Sequence, residues 1–401
     1  MDVMNWIGVV DCNNFFVSCE RLFRPDLRDK PVVVLSSNDG CVVARSQEVK
    51  DMGVPMGVPY FKVKDILKDS EVTMFSSHFA LYRDISRRVF EVLREELDTV
   101  EQYSVDEAFF CLPVSSNPLA IGKKIKDRIE SRVGMPVSVG IASSKTQAKY
   151  AVELAKKDNG VTVLSELEWS DLATAITLSD VWGVGSQNTI RYRDAGYVTV
   201  GDLLSADSSR ISSVFGVVGT RLISELKGES VYKVGAVRGA QQSIMSSRSF
   251  SEKPFDFNVL SDAIAYHTRH IASELRKKKL AAASIRISIQ PSRHGDFLLQ
   301  GSNVSASFDT PSNDSMLLLK LTNDLLIKGF KEGVPYKKVG VSVGELIPEE
   351  QIQAGLFDSQ VPESNKQLMD IIDTLNSKGR EVLTLGDRRY GDKWKARRDL
   401  V

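Results

Sequence analysis

Several things are scarce or missing in this 401-residue chain. It has no net charge: 52 Lys and Arg balance 52 Asp and Glu. That excludes a uniformly basic coat for nucleic acid, but not a basic cleft with compensating acids elsewhere. The four cysteines, Cys12, Cys19, Cys41 and Cys111, include no Cys-x-x-Cys pair, so neither a disulfide framework nor a thiolate metal cluster is expected. No run approaches the roughly 20 apolar residues of a membrane span. The start, Met-Asp-Val-Met-Asn-Trp, has no basic region followed by an apolar stretch, so no signal peptide is expected. A soluble cytoplasmic protein, with no membrane partner, fits these absences. There is no low-complexity segment and no solenoid repeat. The remainder, 42% hydrophobic and 26% charged, is ordinary globular composition, long enough for several domains.

Up to about residue 165 the patterns alternate between strand and helix, which predicts an α/β domain. Trp6–Asp11 and Pro31–Leu35 read as buried strands. Ala44–Met52 is predicted helical, as are Tyr82–Leu97, Pro118–Val133 and Lys145–Lys157. Val100–Phe110 alternates like a strand but is interrupted by Ser-Val-Asp-Glu, and Val137–Ile141 reads as another strand. From Trp169 the segments are short, helical and broken by glycine. Beyond a linker over Glu229–Gln242, the order β-α-β-β-α-β from Ser243 predicts a ferredoxin-like module, one sheet face of which is polar and carries arginine. A tail follows, with a helix over Lys366–Asn376 and a basic end.

Carboxylates on separate elements are what two-metal phosphoryl transfer requires, and magnesium prefers such oxygen ligands. Asp11 closes the first strand, and Asp106-Glu107 sits in an aromatic context that implies burial. Neighbours on a regular strand point to opposite faces, so both can serve one site only at a turn or a strand end.

Three stretches occur in order: Asp11-Cys-Asn-Asn-Phe-Phe, Ser104-Val-Asp-Glu-Ala and Gly140-Ile-Ala-Ser-Ser-Lys-Thr-Gln-Ala-Lys. Together they resemble the palm motifs of Y-family DNA polymerases. Arg24-Pro-Asp-Leu, Val33-Val-Leu-Ser-Ser-Asn-Asp-Gly-Cys-Val-Val-Ala-Arg and Ser247-Arg-Ser-Phe are similar to the UmuC branch. The likeness covers about residues 6–376.

It implies a right-hand polymerase: an α/β palm (1–19 and 78–168), small fingers (20–77), a helical thumb with a helix-hairpin-helix (169–228), a linker (229–242), a ferredoxin-like little finger (243–348) and a tail (349–401). It implies an error-prone translesion polymerase of the SOS response, in a bacterial cytoplasm. Two Mg2+ ions would be held by Asp11, Asp106, Glu107 and the backbone carbonyl of Cys12. The substrates would be deoxynucleoside triphosphates, bound near Phe15, Phe16, Arg45, Gln47, Lys50 and Lys156, with Phe16 as the steric gate against a ribose 2′-hydroxyl. Gln47 departs from the tyrosine of several relatives. Lys145, Lys149, Gly183, Gly185, Arg248 and Arg286 would touch primer-template DNA, as would the run Arg276-Lys-Lys-Lys. Gln353, Leu356 and Phe357 resemble a sliding-clamp peptide. A UmuD′-like dimer and a RecA filament are the further partners implied. The competing expectations are a DNA-bound scaffold without catalysis and a member of the DinB branch.

Overall fold

Runs of valine and isoleucine set the sheets, and capped helices cover them. The structure, a computed structural model, describes residues 5–37, 39–236, 239–250, 252–292, 300–352, 363–376, 383 and 385. Its chain forms two compact units, one of residues 1–238 and one beginning at Gly239. The clamp-like residues Gln353, Leu356 and Phe357 lie outside the described residues.

The first unit runs β1 (Trp6–Cys12), α1 (Phe15–Phe23), β2 (Val32–Leu35), β3 (Val42–Arg45), α2 (Gln47–Asp51), α3 (Tyr60–Asp69), β4 (Thr73–Ser76), α4 (Phe79–Glu96) and β5 (Val100–Gln102). It continues with β6 (Glu107–Leu112), α5 (Pro118–Val133), β7 (Val137–Ala142), α6 (Lys145–Ala155), β8 (Val161–Val163), α7 (Glu166–Ala173), α8 (Ser186–Asp194), α9 (Val200–Leu204) and α10 (Ser208–Leu226). The main sheet has the order β5-β6-β1-β7-β8, and β1 is antiparallel to both neighbours. Both of its faces are covered. Val10, Phe110 and Val139 pack towards α4 and α5, while Ile7, Val9 and Phe109 pack in one cluster with α6 and with the helices that follow it. Two glycines make the layers fit. A Cβ on Gly8 would lie 2.0 Å from the Phe110 ring, and one on Gly140 would lie 2.2 Å from the backbone nitrogen of Val152 in α6.

The helix boundaries follow local chemistry. Asn117 caps α5, Pro118 opens it and Gly134, at φ 77°, ends it. Ser144 caps α6 through the Gln147 N–H. The small sheet β3-β2-β4 carries a correction to the sequence expectation for Ala44–Met52: Val42–Arg45 is a strand, and the helix starts only after Ser46. Pairing of Val33 with Arg45 and of Val34 with Ala44 overrides the helical pattern there.

The second unit contains β9 (Ser243–Ser249), α11 (Phe257–Lys277), β10 (Leu280–Pro291), β11 (Ser302–Ser312), α12 (Ser315–Gly329), β12 (Tyr336–Pro348) and α13 (Glu363–Asn376). The element order is the predicted β-α-β-β-α-β, but the sheet order β11-β10-β12-β9 puts the second and fourth strands, β10 and β12, in the centre, where a ferredoxin-like sheet has its first and third. Ile285, Ile287 and Ile289 face the α11–α12 layer, and exposed Arg286 points the other way, opposite Ser342 and Ser305. Among the described residues no helix is long and apolar enough to cross a membrane.

Candidate active site

Antiparallel pairing sets Asp11 of β1 directly across from Glu107 of β6. Cross-strand partners share a face, here the one covered by α6, which also carries Ile7, Val9 and Phe109. Asp106 is the last residue of the turn that delivers β6. Its carbonyl accepts the Cys12 N–H at 2.9 Å, which locks the turn to the end of β1. Ser104 holds the turn from inside. Its hydroxyl accepts the N–H groups of Asp106 (3.2 Å) and Glu107 (3.0 Å) and donates to Asp106 Oδ1 at 2.5 Å. The difficulty of adjacent acids on one strand is resolved by the turn: Glu107 points to the α6 face and Asp106 sits where the strand has not yet begun. The structure therefore brings Asp11 and Glu107 together, with Asp106 beside them on Ser104.

Two ammonium groups from α6 and its C-terminus meet this pair. Lys149 is ion-paired with Glu107, and Lys156 lies 3.0 Å from Asp11 Oδ2 and 2.8 Å from Glu153. Burial, together with the hydrogen bond to Glu107, pushes the Asp11 carboxyl up to about 7. Burial also acts to raise Glu107, but the Asp11 hydrogen bond and Lys149 outweigh it and hold that carboxylate below its usual range. Burial acts against the charge on Lys156, yet Asp11 and Glu153 hold its pKa above the usual lysine value.

The cations of the small sheet face the same place. Lys50 on α2 is held below its ordinary pKa, first by partial burial and then by the charges of Arg45 and Lys156. Arg45 at the end of β3 has buried Nε and Nη1 atoms with no hydrogen-bond partner among the described residues. Buried guanidinium nitrogens are ordinarily satisfied, so this pair is a donor set waiting for an acceptor. Gln47 opens α2, is exposed and donates to Asp51 at 2.7 Å. Phe16, half-buried in the first turn of α1, stacks on Tyr82 with ring centroids 4.5 Å apart, and Phe15 is buried behind it. Asn14 enters α1 in the left-handed region, at φ 48°, which Asn tolerates better than most residues.

The donor chemistry fits a hard divalent cation: Asp11 and Glu107 face each other at one sheet end, with Asp106 in the adjoining turn. Among the described residues no three acidic, thiol or imidazole side chains gather closely enough to ligate one ion in this conformation. The carboxylates are instead engaged by Lys149, Lys156 and Ser104.

The expected DNA contacts are placed differently from one another. Lys145 is only 5% exposed, bonded to Glu101 at 2.7 Å and set over the Phe109 ring, so it anchors α6 instead of meeting solvent. Lys149 belongs to the carboxylate cluster. Gly183 (φ 88°) and Gly185 are exposed on either side of buried Val184, just before α8, with open space where a Cβ would sit. Arg286 is on the open sheet face, whereas Arg248 pairs in register with Val339 and so belongs to the helix-covered face. Arg276 is not available for phosphate at all. It grips Asp373 of α13 with two nitrogens (2.7 and 2.9 Å) and also bonds the Asn313 carbonyl and Ser315. The turn-holding role of Ser104, quoted only as part of its motif, and the ion pair of Glu101 were not read from the sequence; a serine two residues before the Asp was the available turn signal for the first.

With this geometry in view, comparison with known proteins defines the class. A Y-family DNA polymerase chimera of known structure superposes with a TM-score of 0.70 at 22% identity, covering 85% of this chain and 99% of its own. The fold is therefore that of a right-hand polymerase of this class. Family models described as impB/mucB/samB and its C-terminal domain match residues 10–153 and 241–356. Protein UmuC of Salmonella typhimurium is 35% identical, over 98% of this chain and 96% of its own length. Protein ImpB of the same organism is 33% identical over the same shares, and DNA polymerase IV 1 of Bacillus subtilis is 28% identical over 92% and 89%. The chain belongs to the impB/mucB/samB family.

Proposed function

We propose that this protein is a DNA-directed DNA polymerase that performs error-prone translesion synthesis in SOS repair. The observation that carries the reading is the pairing of buried Asp11 with half-buried Glu107 at the end of the palm sheet, faced by Arg45, Lys50 and Lys156. Acidic and basic groups opposed in this way suit a triphosphate whose leaving pyrophosphate gains charge. Two magnesium ions at Asp11, Asp106, Glu107 and the Cys12 carbonyl would stabilise the attacking and leaving oxygens.

The chain's own residues supply position and charge. Asp11 and Glu107 would serve as ligands in their ionised form. Arg45, with its orphaned nitrogens, and Lys50 and Lys156 bind the phosphates of a deoxynucleoside triphosphate, with Gln47 at the rim. The Phe16 ring, fixed on Tyr82, rejects a ribose 2′-hydroxyl. The exposed backbone at Gly183 and Gly185 takes primer-template phosphates without reading sequence, and Arg286 adds a contact from the little finger. The polymerase works with a sliding clamp through Gln353, Leu356 and Phe357, and with a UmuD′-like dimer and a RecA filament. These partners rest on the likeness to the UmuC branch.

The test is primer extension on intact and abasic templates by wild type and Asp106→Ala, alone and with clamp, UmuD′-type dimer and RecA-coated single strand. Extension past the lesion by wild type only is expected. Equal activity of the two proteins, or none by either in any mixture, would sink the reading.

A further inference from the structure

On α4 the residues Arg83, Arg87 and Arg94 follow one another at spacings of four and seven, which returns each to the same face of the helix. They form one wall of a groove of about 710 Å³. The opposite wall is the turn Tyr103-Ser104-Val105, and the next residue along the chain is Asp106. The groove therefore opens beside the carboxylate site, but its cations are not those of the triphosphate cluster, which come from β3, α2 and the end of α6. Its electrostatics are one-sided. Among the described residues no carboxylate lines it. Arg87 is balanced by Asp84 and Glu91 at 2.8 and 2.7 Å, and Arg88, just outside, shares Asp84. Arg83 and Arg94 are exposed and make no ion pair among the described residues. Eleven residues separate them, a rise of about 16 Å along the helix, which spans several phosphates of a strand that advances roughly 3.4 Å per nucleotide.

We propose that this groove seats the sugar-phosphate backbone of the primer strand just upstream of its 3′ end, with Arg83 and Arg94 as the phosphate contacts. The primer is the strand assigned because its terminus must lie at Asp106, the residue the groove wall leads into. The assignment rests on the polymerase reading and adds to it a palm surface that positions the 3′-hydroxyl. Both side chains sit outside the carboxylate and triphosphate sites, so their loss leaves nucleotide binding intact. It weakens DNA binding evenly across sequences, as loss of backbone contacts does.

The experiment measures binding of the full chain to a primer-template duplex by fluorescence anisotropy across a salt series, for wild type, R83A/R94A and R83K/R94K. Melting temperatures, expected to match because both positions are exposed, verify the fold. The alanine pair is expected to bind roughly tenfold more weakly, with a log Kd against log salt slope shallower by about two. Its KM for nucleotide should be unchanged, and the lysine pair should recover most of the affinity. Neutral methylphosphonates placed singly in the primer should weaken wild type at one or two positions and leave the alanine pair indifferent there. An unchanged Kd and salt slope in R83A/R94A, with normal primer extension, overturns the groove alone. Coupling to template-strand positions overturns the primer assignment. Wild type that extends no primer removes the polymerase reading, and the groove's role falls with it.

Discussion

Replacing Gly140 by alanine tests how tightly the palm sheet supports the helix that carries the active-site lysines. Gly140 lies in the middle of β7, paired with Val9 and Thr162. An added Cβ would meet Val152 N at 2.2 Å, Ala148 O at 2.5 Å and Ala151 C at 2.8 Å, all of them backbone atoms of α6. No side chain can swing aside there, so α6 must lift from the sheet as a body. Overpacking of a well-filled core costs typically about 1–3 kcal/mol, and a clash with backbone belongs at the upper end, about 3 kcal/mol. For a unit of this size each kcal/mol is worth roughly 2–4 °C, so a drop of about 6–12 °C in Tm is expected by circular dichroism. Lys149 and Lys156 ride on α6 and its end, so nucleotide incorporation should fall more steeply than DNA binding. Gly239→Ala, with open space around its Cβ, serves as the control and should stay within about 0.5 kcal/mol of wild type. A Gly140→Ala protein that melts within a degree or two of wild type would refute the close-packing argument.

Phe16→Ala removes the ring stacked on Tyr82 and should raise ribonucleotide incorporation at least tenfold relative to deoxynucleotide; an unchanged ratio in single-nucleotide assays would rule out the steric gate. Glu20 is buried, which raises its carboxyl pKa despite the 2.6 Å hydrogen bond donated by Tyr82. A folded pKa above the unfolded one gives stability that is present in acid and lost as pH rises through the raised value. Glu20→Gln should therefore melt higher than wild type at pH 8 and converge with it towards pH 4, and a variant that is less stable at pH 8 contradicts this. Arg276→Met breaks the bidentate pair with Asp373, leaving that carboxylate partly buried, at a local cost of about 2 kcal/mol. Amides of α13 should then exchange roughly thirtyfold faster, with the α11 and α12 amides unaffected; uniform acceleration across the unit would show that the clamp is not local.

The elements that were legible in the sequence are those whose signals are local. Pro118–Val133 has its cap, its opening proline and its closing glycine in the sequence, and the alternation of Ile285, Ile287 and Ile289 shows which face of β10 is buried. By contrast, α1 and α3 start at Asn14 and Pro59 without any side-chain cap, so nothing in the sequence marks them. The strand Val42–Arg45 exists because β2 pairs with it, a tertiary fact. The site divides in the same way. Asp11 and Glu107 could be named from motifs at strand ends, and the pairing of β1 with β6 puts them together. The destinations of the cations could not be read, because Lys145 and Arg276 find their acids 44 and 97 residues away. A basic run looks the same in sequence whether it meets phosphate or a carboxylate of its own chain.

The central claim is that the carboxylates at the end of β1 and β6 carry nucleotidyl transfer. Single-turnover incorporation of one deoxynucleotide, with magnesium, by wild type and Asp11→Asn tests it most directly, because asparagine keeps the shape and removes the charge. The expected result is a loss of roughly a thousandfold or more in rate, with DNA affinity within about twofold of wild type. An Asp11→Asn protein that incorporates nucleotide within tenfold of the wild-type rate would contradict the account.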